Sequence, residues 1–195
     1  MLPRKLSIVL APLLAVLATV QFAGAALIYA KAWLAPVLLE AAYARGGTEG
    51  AAGKPWPWAD TRPVARLQVA GLSIQRLVLE GDSGNTLAFG PGMAAGPSPG
   101  ERGMVMISAH RDTHFRFLQN TLRGDELALE YHGQQYRYRV LETVIADARA
   151  GELRAPLPEQ GLLLVTCYPF DAIIPGGPLR FVVIAEQISG GTTSL

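Results

Sequence analysis

Cysteine is nearly absent from this 195-residue chain, with Cys167 standing alone. One thiol excludes an internal disulfide, so the fold must hold by packing and hydrogen bonding. An excess of charge of either sign is also lacking: 17 Lys and Arg face 16 Asp and Glu, for a net charge of +1. With no basic stripe, no aromatic-basic interleaving and no phosphate-cradling glycine loop, nucleic acid is not an expected partner. Histidine is scarce too, at positions 110, 114 and 132. His110 and His114 have the i,i+4 spacing of a zinc helix, but His110 ends a strand pattern and no third ligand follows. No metal is expected there.

Charge vanishes altogether from residues 6–30, directly behind Arg4 and Lys5. An uncharged run of about 25 residues is long enough for a helix to cross a hydrocarbon core. Pro12 and Gln21 are tolerable inside such a helix, because neighbouring groups absorb one proline or one amide. Ala23-Gly24-Ala25 has the small-x-small form of a signal peptidase site, so a cleaved signal peptide is the competing reading. The apolar run continues past that site through Leu27, Ile28 and Tyr29, and a second apolar stretch fills 33–39. Both features favour a retained anchor. The cationic tip then stays in the cytoplasm and the rest of the chain is exported.

The expected organisation is a cytoplasmic tip and transmembrane anchor over 1–30, a juxtamembrane helix and flexible linker over 31–53, one catalytic-sized domain over 54–189, and a tail over 190–195. Residues 31–45 read as a helix on or near the membrane surface, and 46–53 as a Gly/Ala linker. Pro55-Trp56-Pro57-Trp58 is stiff and apolar, an arm expected to lay both rings on the domain edge.

Beyond Asp60 the pattern is mainly strand. Residues 64–69, 72–79, 104–109, 126–131, 135–145, 162–166 and 179–188 each read as one, and His132-Gly133 reads as a hairpin turn. Residues 115–122 suit one or two helical turns. The Gly/Pro-rich stretch 81–100 reads as loop, with Leu87 and Phe89 reaching the core. Many short strands and one brief helix predict an all-β fold, a closed barrel with helical decoration.

Two strands each deliver a reactive side chain at their exit. Cys167 follows the buried run 162–166, and His110 follows 104–109. The pattern alone leaves open whether the thiol is inert or reactive. A histidine neighbour is what would make it a nucleophile near neutral pH. The two lie 57 positions apart (167 − 110), so only the fold can join them. Arg180 sits inside the last apolar strand, where it either points to solvent or faces the thiol as an oxyanion donor. Asp112 reads as a cap for the helical turn that follows it. Residues 148–161 read as a loop able to gate a groove.

His110-Arg111-Asp112-Thr113-His114-Phe115, Leu163-Leu164-Val165-Thr166-Cys167-Tyr168-Pro169-Phe170-Asp171 and Gly176-Gly177-Pro178-Leu179-Arg180-Phe181-Val182-Val183 together resemble the signature set of the sortases. Pro55-Trp56-Pro57-Trp58-Ala59-Asp60-Thr61 and Leu87-Ala88-Phe89-Gly90-Pro91-Gly92 are similar to the class GN type of Gram-negative bacteria. The resemblance covers about 54–185. It implies an eight-stranded β-barrel with the catalytic groups at one end of a groove: His110, Cys167 and Arg180, with Thr166 beside them as a substrate-binding residue. Where many sortases carry Gly before the histidine, this chain has Ala109, the next smallest residue.

The implied activity is a cysteine transpeptidase without cofactor or metal, held in the inner membrane with its catalytic domain in the periplasm. Its partner would be an exported protein with an LPxTG-like C-terminal motif, cut between Thr and Gly, and the acyl group would pass to an amine. Three competing readings are a catalytically silent binding module, a hydrolase using water as acceptor, and an L,D-transpeptidase. The last packs its signature residues into one short segment, which Tyr168-Pro169-Phe170 after Cys167 does not match.

Overall fold

A computed structural model describes residues 4–46, 53–69, 71–151, 153–174 and 176–193, and the side chains of all of these except 4–11, 27, 28, 31 and 190–193. It divides into two compact units, 1–38 and 39–195. Helix α1 (Arg4–Gly46) supplies the described part of the first, with Pro12 and Pro36 inside it. Among the described residues no helix is long and apolar enough to cross a membrane. Part of the run read as an anchor has its side chains outside the described residues, as do residues 47–52 of the linker.

The second unit is a closed barrel of eight strands in the order β1-β2-β3-β4-β7-β8-β6-β5. β1 (Pro63–Val69) alternates buried and half-buried residues along its whole length, the period-two pattern of a strand with one face in a core. β2 (Ile74–Glu80) pairs antiparallel with it, and β5 (Glu126–Tyr131) joins its other edge. β5 turns into β6 (Gln134–Asp147) through His132-Gly133, both at positive φ (50° and 70°), the twist that a two-residue hairpin requires. β4 (Gly103–Ser108) and β7 (Gln160–Cys167) run parallel, and β8 (Leu179–Thr193) fits antiparallel between β7 and β6. Every long strand falls within a few residues of its sequence-predicted span.

β3 (Gly92–Met93) does not, because two residues inside a Gly/Pro-rich stretch carry no periodicity. It closes the gap between β2 and β4. Gly92 is required there: a Cβ would collide with the Gly81 carbonyl oxygen. Short helix α2 (Gly84–Leu87) precedes it, with Ser83 accepting from the Thr86 amide.

The barrel interior is filled by side chains, as in other small barrels. Leu67, Ile107, Phe115, Leu118, Leu127, Leu129, Tyr138, Leu162 and Leu164 are fully buried there. Phe115 and Leu118 come from the 3₁₀ turn region at Arg116–Asn120 and enter the core, whereas Leu122, expected on the same face, lies past the turn and is exposed. Phe89 does not: it is exposed and meets Trp56 edge-to-face at 5.3 Å. Of the two arm tryptophans only Trp56 packs, while Trp58 is 79% exposed.

The barrel unit begins at Leu39, so the last turns of α1 belong to it. Leu39 and Ala42 are buried. Arg66, pointing outward from β1, pairs with Glu40 at 2.8 Å and lies 5.0 Å over the Tyr43 ring. The Tyr43 hydroxyl donates to the Glu130 carbonyl at 3.5 Å. Burial, then the nearby Glu130 carboxylate, pushes the Tyr43 phenol up to about 12.

Candidate active site

β7 alternates, with Leu162, Leu164 and Thr166 buried and Leu163, Val165 and Cys167 on the opposite face. Cys167 therefore leaves the core at the strand's end and is half-buried. Across β8 its direct partner is Arg180, and directly opposed residues of an antiparallel pair project from the same face. On the other side, β4 pairs with β7 from Gly103–Gln160 to Ser108–Val165, a constant offset of 57 positions (160 − 103). His110 and Cys167 are separated by the same 57 positions. Run two residues past the ladder, this register sets His110 opposite Cys167. The separation that was mute in the sequence is the register of a parallel pair.

The register is pinned beyond the ladder. The Ala109 amide donates to the Val165 carbonyl at 3.1 Å, and the Thr166 hydroxyl donates to the Ala109 carbonyl at 2.7 Å. Thr166 is only 2% exposed. Its hydroxyl ties the two strand exits together. Arg180 is half-buried, and its Nη1 donates to the carbonyls of Gly177 and Leu179 at 2.7 and 2.9 Å. Those bonds fold the guanidinium back over the entry to β8. The Tyr168 amide ties the same entry by donating to the Leu179 carbonyl at 3.0 Å.

Tyr168, Phe170 and Phe181 form an aromatic cluster beside the thiol, with Phe170 and Phe181 5.2 Å apart at 67°. A cleft of about 530 Å³ lies between the loop after His110 and the loop after Cys167. Arg111, Asp112 and Arg116 line it from the one, and Tyr168, Phe170 and Asp171 from the other. His114 is half-buried. Burial first, then the charges of Arg76 and His110, hold its imidazole below the usual histidine value. His132 is exposed in its turn, stacked on Tyr131 at 3.9 Å.

Asp112 corrects one expectation. It accepts from Arg111 Nε at 3.1 Å, and the following 3₁₀ turn has Phe115 at its N-cap with no side-chain cap. A residue given no task by the sequence reading is Arg111, which is 7% exposed and donates to the carbonyls of Pro169 and Ala172, each at 2.5 Å. Its position next to a histidine at a strand exit was the only signal, and nothing in the sequence says which backbone it will reach.

The model of the sortase domain family matches residues 67–188. Sortase D of Bacillus subtilis (strain 168) is 27% identical over 125 residues, covering 63% of this chain and 63% of that protein's length. The catalytic domain of B. anthracis SrtD is 30% identical and superposes with a TM-score of 0.56, covering 67% of this chain and 90% of that one. Sortase A from Corynebacterium diphtheriae shares the fold at a TM-score of 0.59, with 20% identity over 72% of this chain and 67% of that one. With the family model spanning more than half of the sequence and the barrel order, strand exits and Thr-Cys segment in place, this chain belongs to the sortase family.

Proposed function

We propose that the chain is a transpeptidase whose nucleophile is Cys167, whose acid and base is His110, and whose oxyanion donor is Arg180. One observation carries this reading: Cys167 at the end of β7 is paired with Arg180 at the start of β8, and the β4–β7 register, carried two residues past its ladder, sets His110 on the other side of the thiol. A thiolate at Cys167 attacks a peptide carbonyl, and the oxygen that gains charge is met by the Arg180 guanidinium. His110 as imidazolium protonates the departing amine. The thioester left on Cys167 is resolved by an incoming amine, which gives its proton to the now neutral His110. Water in place of the amine yields the acid.

The substrate in this reading is an exported protein whose C-terminus carries an LPxTG-like motif, cut between Thr and Gly. The motifs quoted for the class GN type support that narrower placement within the family. The uncharged run behind Arg4 and Lys5 supports an inner-membrane anchor with the barrel in the periplasm.

The test is a covalent one. Full-length protein in detergent, mixed with an LPxTG peptide, is expected to gain the mass of the acyl fragment at Cys167, and added amine should divert product from acid to amide. Cys167→Ala should lose both, by about 1000-fold or more in turnover. Turnover at the wild-type level in Cys167→Ala would remove the thiol from the reaction.

A further inference from the structure

Arg111 is the most buried cation among the described residues, and its bonds run to main chain more than to charge. Its one ionic partner, Asp112, is 69% exposed. The other two partners are the carbonyls of Pro169 and Ala172, 58 and 61 positions on, in the loop that follows Cys167. The Pro169 carbonyl is also the acceptor of the turn closed by the Ala172 amide at 3.4 Å, so the guanidinium grips both ends of one turn. Burying a cation is costly unless several hydrogen bonds meet it in fixed geometry. Two carbonyls aimed at separate nitrogens of one planar fork supply that geometry, and a lysine ammonium cannot reach both.

The location of this clamp gives it a consequence. The ladder between β4 and β7 ends at Ser108 and Val165, and the last ties before the reactive residues run from Ala109 to Val165 and from Thr166 to Ala109. His110 and Cys167 lie just outside those ties. Arg111 is covalently next to the first, and it binds the carbonyl two residues after the second. The chain from His110 to Arg111, across to Pro169 and back to Cys167 is therefore a closed ring with the two reacting groups on it.

We propose that Arg111 is a positioning residue for the reaction: by bridging its own loop to Pro169 and Ala172 it holds the imidazole of His110 at working distance from the Cys167 thiol. This rests on the reading of that pair as the reacting groups. Asp112 meets the guanidinium at Nε, apart from the Nη1 and Nη2 groups that make the two carbonyl bonds.

The experiment measures kcat and KM with an LPxTG peptide, and separately the rate at which iodoacetamide alkylates Cys167 at pH 7.5 with no peptide present. Arg111→Lys and Arg111→Gly are compared with Glu126→Gln, a change in an exposed ion pair on β5, all as full chains. Arg111→Lys is expected to lower kcat at least about tenfold and to leave KM within about threefold, the pattern of misplaced catalytic groups. Alkylation of Cys167 should slow by about threefold or more, since a displaced imidazole leaves less thiolate. Arg111→Gly should regain part of its kcat when millimolar guanidinium, but not methylammonium, is added. Glu126→Gln should stay within about threefold of the parent on every measure.

A folded Arg111→Lys protein with parental kcat and parental alkylation rate would overturn the proposal. So would variants that fail to fold by circular dichroism, since the clamp would then serve the barrel and not the pair. If instead the parent protein itself turns over without Cys167, the functional reading fails while the alkylation comparison still reports on the clamp.

Discussion

On the wall built by β1 and β5, outward-facing side chains are already engaged. Arg66 holds Glu40 and covers Tyr43, and Tyr43 reaches the Glu130 main chain. Four strands away around the ring, on the wall of β4, β7 and β8, His110 is exposed and Cys167 half-buried at their strand exits. In both walls the inner residues fill one core, alternating with outer ones in β1, β5, β4 and β7, while β8 is buried at four successive positions, 182–185. They differ in what the outer residues meet. A charged residue that finds partners on its own surface adds stability, whereas a nucleophile must keep its outer face open for a substrate. The barrel separates the two tasks by half a circumference.

Breaking the reactive wall should give the larger effect on chemistry. Arg180→Lys keeps the charge but loses the planar fork, and a lost oxyanion donor costs on the order of 100- to 1000-fold in turnover. With partial rescue by the ammonium, kcat/KM is expected to fall at least about tenfold, with circular dichroism and melting temperature close to the parent's. A folded Arg180→Lys protein within about threefold of the parent would mean that Arg180 is a surface strand residue after all.

Breaking the opposite wall should do the reverse. Arg66→Ala removes one cation–π contact and one partly exposed ion pair, together worth roughly 1–2 kcal/mol. Urea unfolding should show that loss as a lower midpoint, while kcat/KM stays within about twofold. A matching drop in kcat/KM would show that the two walls are coupled through the barrel.

The smallest effect lies between them, at His114. The folded chain holds its imidazole below the usual value, so it stays neutral where the unfolded chain already binds a proton. The stability that the neutral form supports is therefore present above the unfolded value near 6.5 and is lost as pH falls through it toward the lower folded value. The melting temperature should decline between pH 7.5 and 5 on this account. His114→Gln should flatten that part of the decline, and an unchanged slope would move the effect to other groups.

Much of this was legible before any coordinates. Strands such as β1 and β7 announce themselves because one face is buried and alternation must follow. Cys167 and His110 stood out as reactive types at strand ends. What the sequence could not carry was pairing. That β4 and β7 run parallel at an offset of 57 is a fact about neighbours, not about either strand. For the same reason the bond from the Thr166 hydroxyl to the Ala109 carbonyl, 57 positions away, could not be read in advance. Arg111 was invisible as a clamp because its acceptors are main-chain carbonyls, which every residue has. β3 was missed for a different reason: two residues are too few for any period to show.

The placement of β8 between β6 and β7 has a consequence in time. As the chain is made, β4 and its histidine emerge early, and the thiol follows 57 positions later. Even then β7 has only one neighbour, since its other edge is completed by β8. Pairings this far apart in sequence form late, after the loops between them have been closed. An unfinished polypeptide thus carries Cys167 on an open sheet edge, without Arg180 opposite. On the proposed reading, synthesis can run through nearly the whole domain before Cys167 meets Arg180, since the strand that closes the barrel is also the one that carries the arginine.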